Sequence, residues 1–441
     1  MKILHLIQRY PPAIGGSERW CAELARCQAK AGHEIEILTF ALWSEEEYWH
    51  RFPPREGRPS LPPFSLDGPA ENPIKVRRYR RTLLNPFSLR RSESTLLSGR
   101  KLDFFFNFLP SAPHSFSLYW NLPGRARWAD IVHLHALPFP HNRAGALAAR
   151  LFRKPFVVTP HFHVGDPAHE QGWALRLLSK SSAVFSVTKF EKEELAKRGV
   201  PTEKIHLTGN AIEASPYATR LPDKERNRVL TPLGIAPGTR LILCLGRKMP
   251  QKGLDTLLEA APLVLKDLPQ TLFILAGTDS SWFTERYRNL PAALKSKILS
   301  VGPVTEKQKI ALLQASEVLV SPSEREAFGI VFLEAMACGL PIVATESGTS
   351  KEILGKAGVL FRPGNAGNLV RAVLEILEKP DRRKELTQAG QERLAQFPRQ
   401  EEIAQTVEKV YRKILDHSRG GSTSDGESVR TTSAGEPTTT L

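Results

Sequence analysis

The sequence predicts an α/β fold of two domains, each a mostly parallel sheet covered by helices on both faces. Three observations predict it. At 441 residues the chain is long enough for two cores. Short apolar runs alternate with amphipathic stretches through both halves, the order that builds parallel sheets. Between Ser215 and Gly238 the alternation gives way to a polar stretch with Pro216, Pro222, Pro232 and Pro237, which places the junction between domains.

Taken in order, Lys2 to Ile7 reads as a strand and Glu18 to Ala31 as an amphipathic helix closed by Gly32. Strands follow at Glu34–Thr39, Asp130–His135, Phe156–Thr159, Ala183–Val187 and Ile205–Leu207, with a helix over Ala144–Phe152. From about 43 to 127 the pattern is lost in a Pro-, Arg- and aromatic-rich insert, too long for an ordinary connection. After the junction, Leu241–Leu245 and Leu272–Ala276 read as strands, and Leu254–Lys266 and Glu306–Ala315 as helices. Glu317–Val320 and Pro341–Ala344 continue the strands, and helices over Ala366–Leu377, Pro380–Leu394 and Gln400–Leu415 close the chain. The expected divisions are 1–215, 216–395, a helix within 396–417, and a Gly/Ser/Thr tail from 418 to 441 with no apolar period, expected to be disordered.

Composition narrows the classes. The net charge is +15, from 61 Lys and Arg against 46 Asp and Glu. It concentrates in residues 75–127, with eleven basic and two acidic side chains. No recognised nucleic-acid module accompanies it, so nucleic acid is not an expected partner. No run of about 18 apolar residues is present, so no transmembrane helix is expected. The start runs into Pro11-Pro12 and reads as a strand, not a signal peptide. Cys21, Cys27, Cys244 and Cys338 show no pairing or zinc spacing, which points to a reducing, cytoplasmic compartment.

Four segments carry candidate chemistry. Tyr10-Pro-Pro-Ala-Ile-Gly-Gly-Ser-Glu18 links the first strand to the first helix; Gly15 and Gly16 lack a Cβ, so backbone can approach a ligand, and the helix N-terminus favours an anion. Gly246-Arg-Lys-Met-Pro-Gln-Lys-Gly253 follows the first strand of the second domain. Arg247, a planar fork donor, and Lys252, a point charge, suit a diphosphate. Ser321-Pro-Ser-Glu-Arg-Glu-Ala-Phe-Gly-Ile-Val-Phe-Leu-Glu334 puts Glu326 in the mouth of a helix starting near Phe328 and Glu334 on that helix. The N–H groups of Phe328, Gly329 and Ile330 are then free donors. Thr159-Pro-His-Phe-His163 contributes His161. With His133 and His135 it could suggest zinc, but no Cys or carboxylate spacing completes a ligand set.

The Glu326-x7-Glu334 segment, with Phe328-Gly329 inside it, resembles the signature of the family 4 retaining glycosyltransferases of the GT-B fold. Gly246-Arg-x4-Lys-Gly matches the same family, except that Lys248 stands where its members usually carry an apolar residue. The resemblance covers roughly 1–42 and 128–395. It implies two Rossmann-like domains facing across a cleft, with C-terminal helices crossing back to the first. It implies a nucleotide-sugar donor, with UDP or GDP favoured as carrier, and no other cofactor or metal. Arg247 and Lys252 would neutralise the leaving diphosphate, Glu326 and His161 would contact the donor sugar, and Glu334 would accept from the ribose. Gly15 and Gly16 would lie against the diphosphate and sugar. Gly209-Asn-Ala-Ile-Glu213 and Gly348-Thr-Ser-Lys-Glu352 resemble two further family turns, with Ala211 and Thr349 in place of glycines. Retention implies same-face attack, with the leaving phosphate taking the acceptor proton.

For the acceptor, Lys75-Val-Arg-Arg-Tyr-Arg-Arg81, Arg90-Arg91, Phe104–Phe106 and Phe116–Trp120 combine charge with aromatic residues, as on an anionic membrane surface. The expectation is a glycan or lipid-linked acceptor in cell-surface polysaccharide or glycolipid synthesis, handled by a membrane-peripheral enzyme. A transferase for a soluble acceptor, a GT-B epimerase and a binding-only relative are the alternatives.

Overall fold

The computed structural model describes residues 1–43, 47, 60–82 and 114–420. The first lobe carries β1 (Lys2–Leu6), β2 (Glu34–Phe40), β3 (Phe64–Asp67), β4 (Ile74–Tyr79), β5 (Ile131–His135), β6 (Phe156–Thr159), β7 (Ala183–Ser186) and β8 (Ile205–Leu207). Their order across the sheet is β3-β4-β2-β1-β5-β6-β7-β8. Only β3, at the edge, runs antiparallel to its neighbour. The second lobe holds β9 (Arg240–Leu245), β10 (Thr271–Ala276), β11 (Ile298–Val301), β12 (Val318–Ser321), β13 (Ile342–Thr345) and β14 (Gly358–Phe361), all parallel, in the order β11-β10-β9-β12-β13-β14.

Among the parallel strands the order reverses between β1 and β5 in the first lobe and between β9 and β12 in the second. A parallel sheet opens a crevice at such a point, beyond the carboxyl ends of the strands. In the first lobe the crevice is rimmed by the segments after Leu6 and His135. In the second it is rimmed by those after Leu245 and Ser321. Three of the motif segments lie at the exits after Leu6, Leu245 and Ser321, and the one holding His161 lies at the neighbouring exit of β6.

Both faces of each sheet are buried, so the strands read as near-continuous apolar runs. Ile3 points into one cluster and Leu4 and Leu6 into another, the period of two that a strand imposes. The cluster around Ile3 continues through Trp20, Ala211 and Tyr217 to Leu241, Leu319 and Met336, so one apolar core runs through both lobes. The helix Gln400–Gly420 packs on the first-lobe helix Gly16–Lys30 and adds Ile403, Val407 and Tyr411 to that core.

The structure corrects several sequence expectations. The stretch from 43 to 127 is not wholly irregular: β3, β4 and a helix over Phe116–Trp128 fall within it. Two of its basic residues are used by the sheet, while Lys75 and Arg80 stay exposed. Arg77 pairs with the buried Glu36, and buried Arg78 donates to Ser65 Oγ (2.7 Å) and the Pro11 carbonyl (2.8 Å). Arg90, Arg91, Phe104–Phe106 and the tail from 421 lie outside the described residues. The last helix extends to Gly420, beyond the expected stop. The four-residue strands β11 and β14 went unread.

Tyr411 is buried and its hydroxyl meets His133 Nδ1 at 2.6 Å. Tyr411→Phe strands that buried imidazole nitrogen and should lower stability by about 1–3 kcal/mol. Thermal unfolding checks it, and an unchanged midpoint contradicts the assignment.

Candidate active site

A cleft of about 1290 Å³ lies between the lobes. All ten residues predicted from sequence line it: Gly15, Gly16, His161, Arg247, Lys252, Glu326, Phe328, Gly329, Ile330 and Glu334.

From the first lobe come the loop after β1 and the start of the helix Gly16–Lys30. Gly15 is needed for a reason internal to the protein. A Cβ there would meet the Glu18 carboxylate at 2.0 Å, whereas nothing lies within 4 Å of a Cβ on Gly16. Only Gly16 therefore keeps an open face. Glu18 is itself buried and paired with Arg9 at 2.6 Å. Burial, the largest effect, opposes its ionisation, but Arg9, a backbone N–H, Ser17 and Arg247 together hold the carboxyl below its ordinary value.

His161 follows β6 at φ +47, a left-handed conformation uncommon for a residue with a Cβ. It is 8% exposed, packs edge-on against Trp20 at 5.6 Å, and its Nε2 has no hydrogen-bond partner among the described residues. Burial pushes its pKa down to about 4, so the ring is neutral at physiological pH.

The second lobe supplies the cations. Arg247 and Lys252 stand in the segment after β9, with Gly253 in a left-handed turn (φ +63) against the Pro322 carbonyl. Burial, with Arg9 of the opposite lobe adding to it, lowers the Arg247 pKa to about 10. The guanidinium-bearing Arg9 and Arg247 thus line the cleft from opposite lobes, with Glu18 paired to Arg9. Lys252 Nζ lies 2.5 Å from Glu326 Oε1. Burial disfavours the Glu326 carboxylate, yet Lys252 holds it below its ordinary pKa. The two predicted site groups therefore neutralise each other, a pairing that sequence spacing does not show.

The helix after β12 begins at Ile330, two residues later than predicted, with Gly329 at φ +80 as its N-cap and no side chain capping it. Phe328 is 5% exposed with its ring against Phe397, so its side chain belongs to the core. Glu334 is 2% exposed. Its Oε1 accepts from Arg19 Nη1 (2.9 Å), Lys309 Nζ (2.6 Å) and Tyr217 OH (2.8 Å). Arg19 belongs to the first lobe, so Glu334 ties the lobes together.

Sequence reasoning missed Arg9, Arg19, Tyr217 and Lys309, which carry no motif. It noted Lys248 only as a departure. Lys248 is 1% exposed and holds Asp279 (2.6 Å), Ser300 Oγ (2.7 Å) and the Val301 carbonyl (3.0 Å), fixing the Arg247 loop to the ends of β10 and β11. Thr349, doubtful as a stand-in for glycine, donates its hydroxyl to the Glu326 carbonyl at 2.8 Å and so steadies that loop.

The fold also brings a cysteine to the histidines, which spacing did not suggest. Cys21, His5 and His135 place their ligand atoms within 4.8 Å of one another. His5 Nδ1 and His135 Nε2 are 2.9 Å apart, a hydrogen bond. Tetrahedral zinc ligands at 2.0–2.1 Å would stand about 3.3 Å apart.

Two opposed parallel-sheet lobes around a cation-lined cleft define a two-lobed transferase architecture. The chain matches the family described as "Glycosyl transferases group 1" over residues 225–393 and "Glycosyl transferase 4-like domain" over 15–211. It belongs to the GT4-type glycosyltransferases of the GT-B fold. It is 26% identical over 290 residues to a D-inositol 3-phosphate glycosyltransferase of Jonesia denitrificans (61% of this chain, 68% of that protein). It is 26% identical over 319 residues to an alpha-maltose-1-phosphate synthase of Mycolicibacterium smegmatis (67% and 81%). Among solved structures, Anabaena HepE in complex with UDP and glucose superposes with a TM-score of 0.66 at 19% identity, covering 95% of this chain and 100% of that one. Among the described residues, no helix is long and apolar enough to cross a membrane.

Glu334→Gln removes the carboxylate charge that Arg19 and Lys309 both contact, leaving Lys309 its pair with Glu306 at 3.0 Å. The expected loss is about 1–3 kcal/mol, below a fully buried pair because those cations keep 29% and 15% exposure. A thermal midpoint equal to wild type would show that the lobes do not depend on this contact.

Proposed function

We propose that the enzyme moves a sugar, with retention and without a metal, from a UDP- or GDP-sugar to a glycan or lipid-linked acceptor of cell-surface polysaccharide or glycolipid synthesis. The observation that carries this reading is the meeting of Arg247, Lys252 and the uncapped helix start at Ile330 on one interlobe cleft. Arg9 and Arg247 repel across the gap, and a diphosphate between them relieves that repulsion. Relatives support a nucleotide donor: HepE is described in complex with UDP-glucose, and a Corynebacterium glutamicum relative as a GDP-mannose-dependent mannosyltransferase.

In this reading the bond between the anomeric carbon and the β-phosphate oxygen breaks, and its electron pair stays on phosphate. Lys252 leaves Glu326 to meet that charge, joined by Arg247 and the Ile330 and Val331 N–H groups. Glu326, once released, accepts from a donor-sugar hydroxyl. Neutral His161 offers its open nitrogen to the sugar from the other side. Glu334 accepts from the ribose. The acceptor oxygen bonds to the same face of the anomeric carbon, and its proton passes to the leaving phosphate oxygen. Arg247→Ala and Lys252→Ala should each lower turnover by ~10²–10³, about 3–4 kcal/mol. Kinetics with a UDP- and GDP-sugar panel, with NMR of the product, test this. Wild-type rates in both variants, an inverted anomer, or epimerised donor as the product would overturn it.

The acceptor side rests on an outer surface of the first lobe. The helices Phe116–Trp128 and Pro140–Leu151 pack side by side over one core cluster. Their outer faces leave Phe116 (59%), Trp120 (88%), Leu147 (71%) and Leu151 (69%) exposed. Arg127, Arg150 and Arg153 are exposed beside them. Apolar side chains fringed by cations suit an anionic bilayer, at about 1 kcal/mol per basic residue near the surface. The protein should sediment with phosphatidylglycerol vesicles at low salt, and Trp120→Ser with Leu151→Ser should weaken partitioning tenfold or more. No sedimentation with the wild-type protein removes the membrane from this reading.

A further inference from the structure

His161 holds a left-handed backbone in the cleft wall, and such a strained conformation persists only where its surroundings enforce it. Beside that turn lies a carboxylate outside every motif. Glu191 lies in the first turn of the helix Lys189–Lys197 and is 1% exposed. Its Oε1 accepts the N–H of Phe162, the residue after His161, at 2.7 Å. Its Oε2 accepts the N–H of Val187, at the exit of β7, at 2.6 Å. One side chain thus clamps the exits of two adjacent strands. The helix bearing it is seated by the second lobe. Glu352 accepts the N–H groups of Lys189 and Phe190, both at 2.7 Å, and a Cβ on Gly348 would stand 2.3 Å from the Phe190 ring.

We propose that Glu191 is a positioning residue, whose carboxylate fixes the Phe162 amide and so the strained turn that presents His161 to the donor sugar. Through Glu352 the same helix links that placement to the seating of the second lobe. The functional part rests on the donor-site reading above.

The clamp needs the ionised carboxylate, because a proton removes one of its acceptor sites. Burial raises the Glu191 pKa to about 7. The Phe162, Val187 and Thr188 amides pull it down, and Glu352, the charged group facing it from the second lobe, adds to the rise. The clamp is therefore complete above about pH 7 and fails as pH falls through that value.

Glu191→Gln, Glu191→Asp and wild type are compared by three readouts. Amide hydrogen exchange of the segment holding Phe162 reads the clamp without any donor. It should quicken at least tenfold in the Gln variant. Turnover should fall ~10- to 100-fold in that variant, with donor KM and the thermal shift produced by UDP or GDP unchanged. The acidic limb of the wild-type kcat profile should vanish in the Gln variant and return in part with Asp. Unchanged exchange overturns the clamp. Faster exchange with wild-type turnover and pH profile overturns the positioning role, as does a parallel loss of nucleotide binding, which marks general damage. If the wild-type protein turns over no nucleotide sugar, the donor-site reading fails, and exchange alone decides the clamp.

Discussion

The structure depends on how charge is balanced where the lobes meet. A charge removed from water needs a partner, or it stays neutral. Here the cleft carboxylates have cations: Glu18 has Arg9, Glu326 has Lys252, and Glu334 has Arg19 and Lys309. The last set joins residues 315 positions apart in sequence. Because one of its cations sits in each lobe, the relative placement of the sheets and the pairing of the cleft charges are one problem. A diphosphate entering the cleft changes the partners of Lys252 and Arg247 without changing how many cations are present.

Much of this was legible in the sequence, for identifiable reasons. The strand–turn–helix segments at Gly15, Arg247 and Glu326 carry local signals, and a parallel sheet brings strand exits to one edge, so ten separated residues converge. What could not be read is long-range pairing. Spacing suggested that Lys252 and Glu326 would both point at a ligand; it gave no sign that they would hold each other. Arg77 and Arg78 looked like surface charge because sequence does not show that β4 lies beside β2, with Glu36 opposite. The helix start was misplaced by two residues because Gly329 takes a left-handed turn before Ile330, and Phe328, though apolar, belongs to the core and not to the helix.

The departures from family pattern show how local rules are met by other means. Thr349 cannot offer a bare backbone as glycine would, but its hydroxyl anchors the Glu326 carbonyl. Lys248 stands where an apolar side chain is usual. Its stem lies over the Phe283 ring, with Nζ 5.0 Å from the ring centre, and three oxygens surround that nitrogen. Both substitutions secure loops that bear cleft residues.

The helix Gln400–Gly420 has a consequence for the order in which the protein is made. Residues near the end of the chain finish the apolar core begun by Ile3 and Trp20. While the ribosome is still adding the second lobe, the nascent first sheet has all its strands but lacks that covering. The oily flank around Trp20 stays wet until residues 400–420 have been made and have docked. Chaperone capture, or premature association between neighbouring nascent chains, would concentrate in that interval.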